Sequence, residues 1–189
     1  IGAALVGGGH LTREQVEEYL AEFSEMQREA DHKLEADFQA CPDPEMVRTV
    51  VELSLFHLGR VTDNPVKLRT LRMDLRQLAD GRRRYAQKLV GDRELYVVLD
   101  LPQSIAADVA EGLVGMRFDE GSDATIDAVC EFVNIIGGNA CTQLEASGCT
   151  LRPEPPFSTL ADEEAAASEV VVSAEVLAGE TAIDVRVFI

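Results

Sequence analysis

DAVCEFVNIIGGNACTQL, from Asp127 to Leu144, carries two helical stripes at once. Asp127, Glu131, Asn134 and Gly138 follow the i, i+4, i+7, i+11 spacing and form a polar stripe. Ile126, Val129, Val133, Ile136, Ala140 and Leu144 form the opposite, apolar stripe. One face is built for burial and the other for presentation. Gly137-Gly138 interrupts an otherwise good helix, and each Gly costs about 1 kcal/mol against Ala in a helix interior. Such a cost implies close approach of another group. Gly137 is expected to serve packing beneath the helix. Gly138, one turn beyond Asn134, leaves the Glu131/Asn134 pair above a cleared surface. An exposed Glu and Asn on an amphipathic helix can also be ordinary solvated residues, and their spacing alone names no reaction.

Outward from this helix, helices and strands succeed one another. Glu45 to Gly59 has helical apolar spacing, with Asp43-Pro44 as N-cap and first turn and Gly59 as the expected C-cap. Asp63-Asn64-Pro65 breaks the chain. Leu68, Leu71, Leu75 and Leu78 keep helical spacing, yet the first half of Val66 to Leu78 reads as strand. Arg83 to Val90 and Arg93 to Leu101, joined by Gly91-Asp92, read as a β-hairpin. Arg82-Arg83-Arg84, a dense basic run, reads as a solvated strand edge that discourages edge pairing, with a partner contact as the alternative. Ser104 to Gly115 is a helix with Ile105, Val109, Leu113 and Val114 as its apolar positions. Pro153 to Pro156 breaks the chain, and Asp162 to Ala167 reads as a loop. Glu169 to Val176 and Ala182 to Ile189 form a second hairpin around Ala178-Gly179-Glu180. This order predicts an α+β fold, with a single mostly antiparallel sheet of about six strands and long helices packed on one face. The final strand, rich in Val and Ile, is a candidate edge.

Glu131-x-x-Asn134-x-x-x-Gly138-Asn139-Ala140, with Leu144 following, resembles the signature of the CheX/CheC phosphatases of bacterial chemotaxis, in its CheX form. Tyr96 to Leu101 resembles the strand that precedes the family's helix pair, and Gln103 to Met116 resembles the first helix of that pair. Phe118 to Asp123 resembles the acidic linker, and Glu169 to Ile189 the closing hairpin. The resemblance runs over residues 42–189 and is strongest over 83–189. It implies a protein phosphatase that hydrolyses the aspartyl phosphate of a CheY-like response-regulator receiver. On that pattern Asn134 would orient the attacking water and Glu131 would contact the receiver's Lys. Asp127 and Gly138, on the same stripe, are candidate partner contacts. Mg²⁺ would come with the receiver, so no cofactor and no metal site are expected in this chain. The resemblance also implies a homodimer formed through sheet edges, and a cytoplasmic location. The alternative is a non-catalytic signalling module of the same fold that docks a receiver without turning it over.

Composition agrees with this reading. Against 34 Asp and Glu stand 17 Lys and Arg, a formal net charge of −17. That balance argues against nucleic-acid binding and against anionic membranes. No apolar run reaches a membrane span, and Ile1 to Val6 is too short and lacks the basic flank of a signal peptide. The chain opens on Ile1 rather than Met, so its natural start is expected to lie upstream. Cys41, Cys130, Cys141 and Cys149 show no CxxC spacing, and His10, His32 and His57 are scattered, which disfavours a zinc site. The cysteines read as small thiols in a reducing compartment, and no cation that would activate Cys130 is evident beside it.

Residues 1–40 form a separate helical segment ahead of the domain at 42–189. Ile1 to Val6, Gly9, Leu11-Thr12, Val16, Leu20 and Phe23 resemble the opening helix-turn-helix of the MshEN domain, whose tandem copies bind cyclic di-GMP. Thr12 is expected to cap the second helix, with Glu14 and Gln15 in its first turn. Phe23 stands where that pattern has Gln, and Glu25 to Phe38 is a charged helix rather than a second copy. The segment therefore reads as a packing or coupling module, with a cyclic di-GMP effector as the weaker alternative.

Overall fold

A computed structural model describes residues 8, 11–73, 82–160 and 171–189. The chain falls into two units, Ile1–Gln39 and Ala40–Ile189. In the first, a 27-residue helix, α1, spans Arg13–Gln39. Thr12 and Gln15 form a reciprocal capping box: the Gln15 N–H donates to Thr12 Oγ1 at 3.1 Å, and the Thr12 N–H donates to Gln15 Oε1 at 2.9 Å. The helix expected to start at Thr12 and the charged helix expected over Glu25 to Phe38 are one continuous helix. Ser24 does not break the helix, because its hydroxyl bonds back to the Leu20 carbonyl at 2.7 Å. The opening of the MshEN-like motif, residues 1–7, 9 and 10, lies outside the described residues.

The second unit is built on a seven-stranded antiparallel sheet. Its strands are β1 (Val66–Arg72), β2 (Arg82–Gly91), β3 (Glu94–Pro102), β4 (Leu151–Pro153), β5 (Phe157–Leu160), β6 (Val171–Ala178) and β7 (Thr181–Phe188). The spatial order is β1-β6-β7-β3-β2-β4, with β5 also on β2. The first half of the ambiguous Val66 to Leu78 stretch is indeed a strand, and both expected hairpins form. Leu75, Leu78, the loop at Asp162 to Ala167 and the first residues of the last hairpin lie outside the described residues.

Two expectations about edges are corrected. The Val/Ile-rich final strand β7 lies between β6 and β3, in the sheet interior. Its buried run covers both faces, which is the mark of an internal strand. The basic run at the start of β2 is not a solvated edge either. β2 is flanked by β3 on one side and by β4 and β5 on the other. Arg82 pairs with Asp184, and Arg84 pairs with Asp100 at 2.9 Å. Asp100 is fully buried and also faces Arg186 at 2.9 Å. The two short strands beside Pro153 to Pro156 raise the strand number from the expected six to seven. With three and four residues, they are too short to show an alternation in sequence.

Helices α2 (Pro44–Val61), α3 (Gln103–Val114) and α4 (Asp123–Ala146) pack against the sheet and one another. Cross-strand partners share a face. Gln87, Val97, Val187 and Val172 form one row of that face, and Tyr85, Leu99, Val185 and Ala174 form the next. These residues are almost wholly buried. Burying each large apolar side chain among them stabilises by about 1.5–3 kcal/mol. Asp43 caps α2 as expected, its carboxylate accepting from the Met46 N–H at 3.3 Å. Gly59, the expected C-cap, instead lies inside this helix. The helix runs to Val61 because the Thr62 N–H and hydroxyl both bond the Leu58 carbonyl, at 2.9 and 2.8 Å. Among the described residues, no helix is long and apolar enough to cross a membrane.

Candidate functional site

The polar stripe sits on α4, and the helix start fixes its phase. Ser122 is the N-cap, its hydroxyl accepting from the Thr125 N–H at 3.3 Å, and Asp123 adds a negative charge to the first turn. The buried Thr125 hydroxyl donates to the Asp119 carbonyl at 2.8 Å and ties the acidic linker to the helix. From this start, Val129, Phe132, Val133, Ile136, Ala140 and Leu144 are buried. Ile126, at the first turn, is half-buried. Asp127 and Glu131 are exposed, and Asn134 and Gly138 are half-buried. The four stripe residues thus share one presented face.

Beneath this face lies Gln87 of β2, fully buried. Its Nε2 donates two hydrogen bonds, to Asn134 Oδ1 at 2.7 Å and to the Glu154 carbonyl at 2.9 Å. The Glu154 carbonyl belongs to the short link between β4 and β5, which is itself held by the Glu154 N–H donating to the Lys88 carbonyl at 2.8 Å. On the outer side, Asn134 Nδ2 donates to Glu131 Oε2 at 3.3 Å. Asn134 is therefore clamped between a buried amide and an exposed carboxylate.

The two glycines divide as expected, Gly137 serving packing beneath the helix and Gly138 an open surface. A Cβ on Gly137 would lie 2.0 Å from Gln87 Oε1 and 3.2 Å from Leu89 Cδ2, so this glycine makes room for the buried amide. A Cβ on Gly138 would meet nothing within 4 Å. The surface beyond Asn134 is open.

Charge around the stripe comes from both elements. Burial pushes the Cys130 thiol above its ordinary value of 9.0, and the nearby Asp127 carboxylate adds to the rise. The Arg83 guanidinium opposes them, so a cation does stand near Cys130, but it does not activate the thiol. Arg83 also reaches Ser158 Oγ at 3.4 Å. Burial pushes the Tyr85 hydroxyl up to about 12. Further along α4, Asn139 Nδ2 lies 2.9 Å from His57 Nε2 of α2. Burial, and then the Arg60 charge, holds His57 below its ordinary value of 6.5. Among the described residues, no three His, Cys, Asp or Glu side chains gather as a metal-holding group.

Sequence reading singled out Asp127, Glu131, Asn134 and Gly138, and Arg83 within the basic run, but missed Gln87. A signal for Gln87 exists: Tyr85-x-Gln87-x-Leu89 alternates with period two, so a polar amide stands on the core face of a strand. A polar group there must find partners.

Residues 86–176 match the family model described as chemotaxis phosphatase CheX. The resemblance carried by the α4 motif is therefore shown over that stretch. A CheC-like superfamily protein from Shewanella sp. PV-4 superimposes with a TM-score of 0.66 at 14% identity, over 76% of this chain and 96% of its own. The chemotaxis protein CheX from Vibrio vulnificus gives 0.66 at 15% identity, over 76% and 98%. A chain of the CheX–CheY–BeF₃–Mg²⁺ complex from Borrelia burgdorferi gives 0.54 at 20% identity, over 76% and 94%. At these identities the likeness shows a shared α+β fold. No match was found among curated proteins.

Proposed function

We propose that the chain is a phosphatase for the aspartyl phosphate of a CheY-like receiver, with the exposed stripe of α4 as its working face. The carrying observation is the clamped Asn134: an amide fixed on a presented surface, beside the open ground of Gly138, within the stretch that matches CheX. Phosphoryl transfer needs mainly positioning and charge stabilisation. The receiver brings Mg²⁺ and a Lys for the phosphoryl oxygens, so this chain carries no cofactor of its own. Asn134 enters the receiver's site and orients a water toward phosphorus. The water oxygen forms the new P–O bond as the bond to the Asp carboxylate breaks. Inorganic phosphate and a free carboxylate result, and the water's protons leave with phosphate and solvent. Glu131 meets the receiver's Lys, and Asp127 and Gly138 complete the docking surface. Among the described strands, β1 and the β4/β5 side are the edges through which two copies would pair, because β7 is interior. We place the protein in the cytoplasm, where such receivers act.

The test is the decay of a phosphorylated CheY-like receiver with and without the chain. Acceleration that disappears in Asn134→Ala, with receiver binding retained, supports the proposal. Binding without acceleration in the wild type replaces it with the non-catalytic docking module.

A further inference from the structure

We infer that Gln87 is a positioning residue that fixes the orientation of the Asn134 amide, turning its Oδ1 inward and presenting its Nδ2 to the receiver. This inference rests on the phosphatase reading and deepens it.

The hydrogen-bond bookkeeping leaves one solution. A primary amide has two N–H donors on one end and an acceptor on the other. Gln87 Nε2 faces two oxygens, and one of them is the Glu154 backbone carbonyl, which can only accept. The donor end of Gln87 must point that way. The atom of Asn134 that meets the same nitrogen at 2.7 Å must then be the acceptor Oδ1. A turned Asn134 would set its own N–H donors against those of Gln87. Asn134 Nδ2 consequently carries the outward donors: one N–H is on Glu131, and the second is the one this inference assigns to the receiver's site. Gln87 Oε1 has no hydrogen-bond partner and occupies the room left by Gly137. An acceptor left unbonded in a buried site costs about 1–3 kcal/mol. The fold accepts that cost while using both donors of the same amide. In this orientation the water that attacks phosphorus is held by a donated N–H, which leaves its second lone pair free for attack.

The test compares Gln87→Met, close in size but with no donor, with the wild type in the phospho-receiver decay assay. The maximal acceleration is expected to fall by about 10- to 100-fold, the cost of a misplaced positioning group. The receiver concentration for half-maximal effect should move less than about twofold, because the docking surface is untouched. The Gln87→Met/Asn134→Ala double variant should be no slower than Asn134→Ala alone. If Gln87→Met keeps wild-type maximal acceleration while Asn134→Ala abolishes it, the inference fails and the phosphatase reading stands. If the wild type gives no acceleration, the phosphatase reading fails. Side-chain amide hydrogen exchange in the wild-type chain addresses the geometry alone and requires no variant to fold. The Gln87 Nε2 protons should exchange slowly and the Asn134 Nδ2 protons fast. Exchange of Gln87 as fast as that of a surface glutamine overturns the inference.

Discussion

Adjacent glycines on α4 should respond to alanine in opposite directions. Gly137→Ala places a methyl 2.0 Å from Gln87 Oε1 and 3.0 Å from its Cδ. The end of a glutamine can ordinarily swing aside, but Gln87 is fully buried and its nitrogen is held by two acceptors. Moving it surrenders two hydrogen bonds at about 1 kcal/mol each and adds about 1–3 kcal/mol of overpacking, against about 1 kcal/mol gained in helix propensity. The net is a loss of about 2–4 kcal/mol. Gly138→Ala meets open space and gains about 0.5–1 kcal/mol. For a chain of this size each kcal/mol moves Tm by about 2–4 °C. Thermal unfolding of both variants should therefore show Tm falling for Gly137→Ala and rising slightly for Gly138→Ala. A Gly137→Ala protein as stable as the wild type would refute the packing assigned to Gln87.

Other perturbations follow from the same geometry. Asp100→Ala leaves Arg84 and Arg186 buried without the carboxylate between them and should cost about 3–5 kcal/mol in urea unfolding; a loss below about 1 kcal/mol would contradict that arrangement. Cys130, held above its ordinary value by burial and Asp127, carries less thiolate at pH 8 than a free cysteine. Site-resolved iodoacetamide labelling should be slow there, faster in Asp127→Asn and slower in Arg83→Ala, with the opposite ordering counting against the assignment. Glu131→Lys should weaken receiver affinity by about tenfold or more, since it sets like charges together. Unchanged affinity removes Glu131 from the docking contact.

The polar and apolar stripes of α4 were legible because 24 residues of helix repeat the period often enough to separate two faces. The division of labour between Gly137 and Gly138 followed from the same phase. What escaped depends on strand pairing. Gln87 reaches Asn134 across 47 residues of chain, and no local pattern says which strand lies under a helix. Arg82 and Arg84 looked like a solvated basic run because their carboxylate partners are 102 and 16 residues away. β7 looked like an edge because a Val/Ile-rich strand carries no mark of its neighbours. Gly59 looked like a helix stop, yet Thr62, three residues further on, supplied the cap.

The most direct test of the account is a structure of this chain bound to a receiver carrying Mg²⁺ and beryllofluoride in place of its phosphoryl group. The account predicts that α4 faces the receiver, with Asn134 Nδ2 within about 3 Å of the position of the attacking water and Glu131 on the receiver's Lys. A complex that docks through another surface and leaves Asn134 in solvent would contradict it.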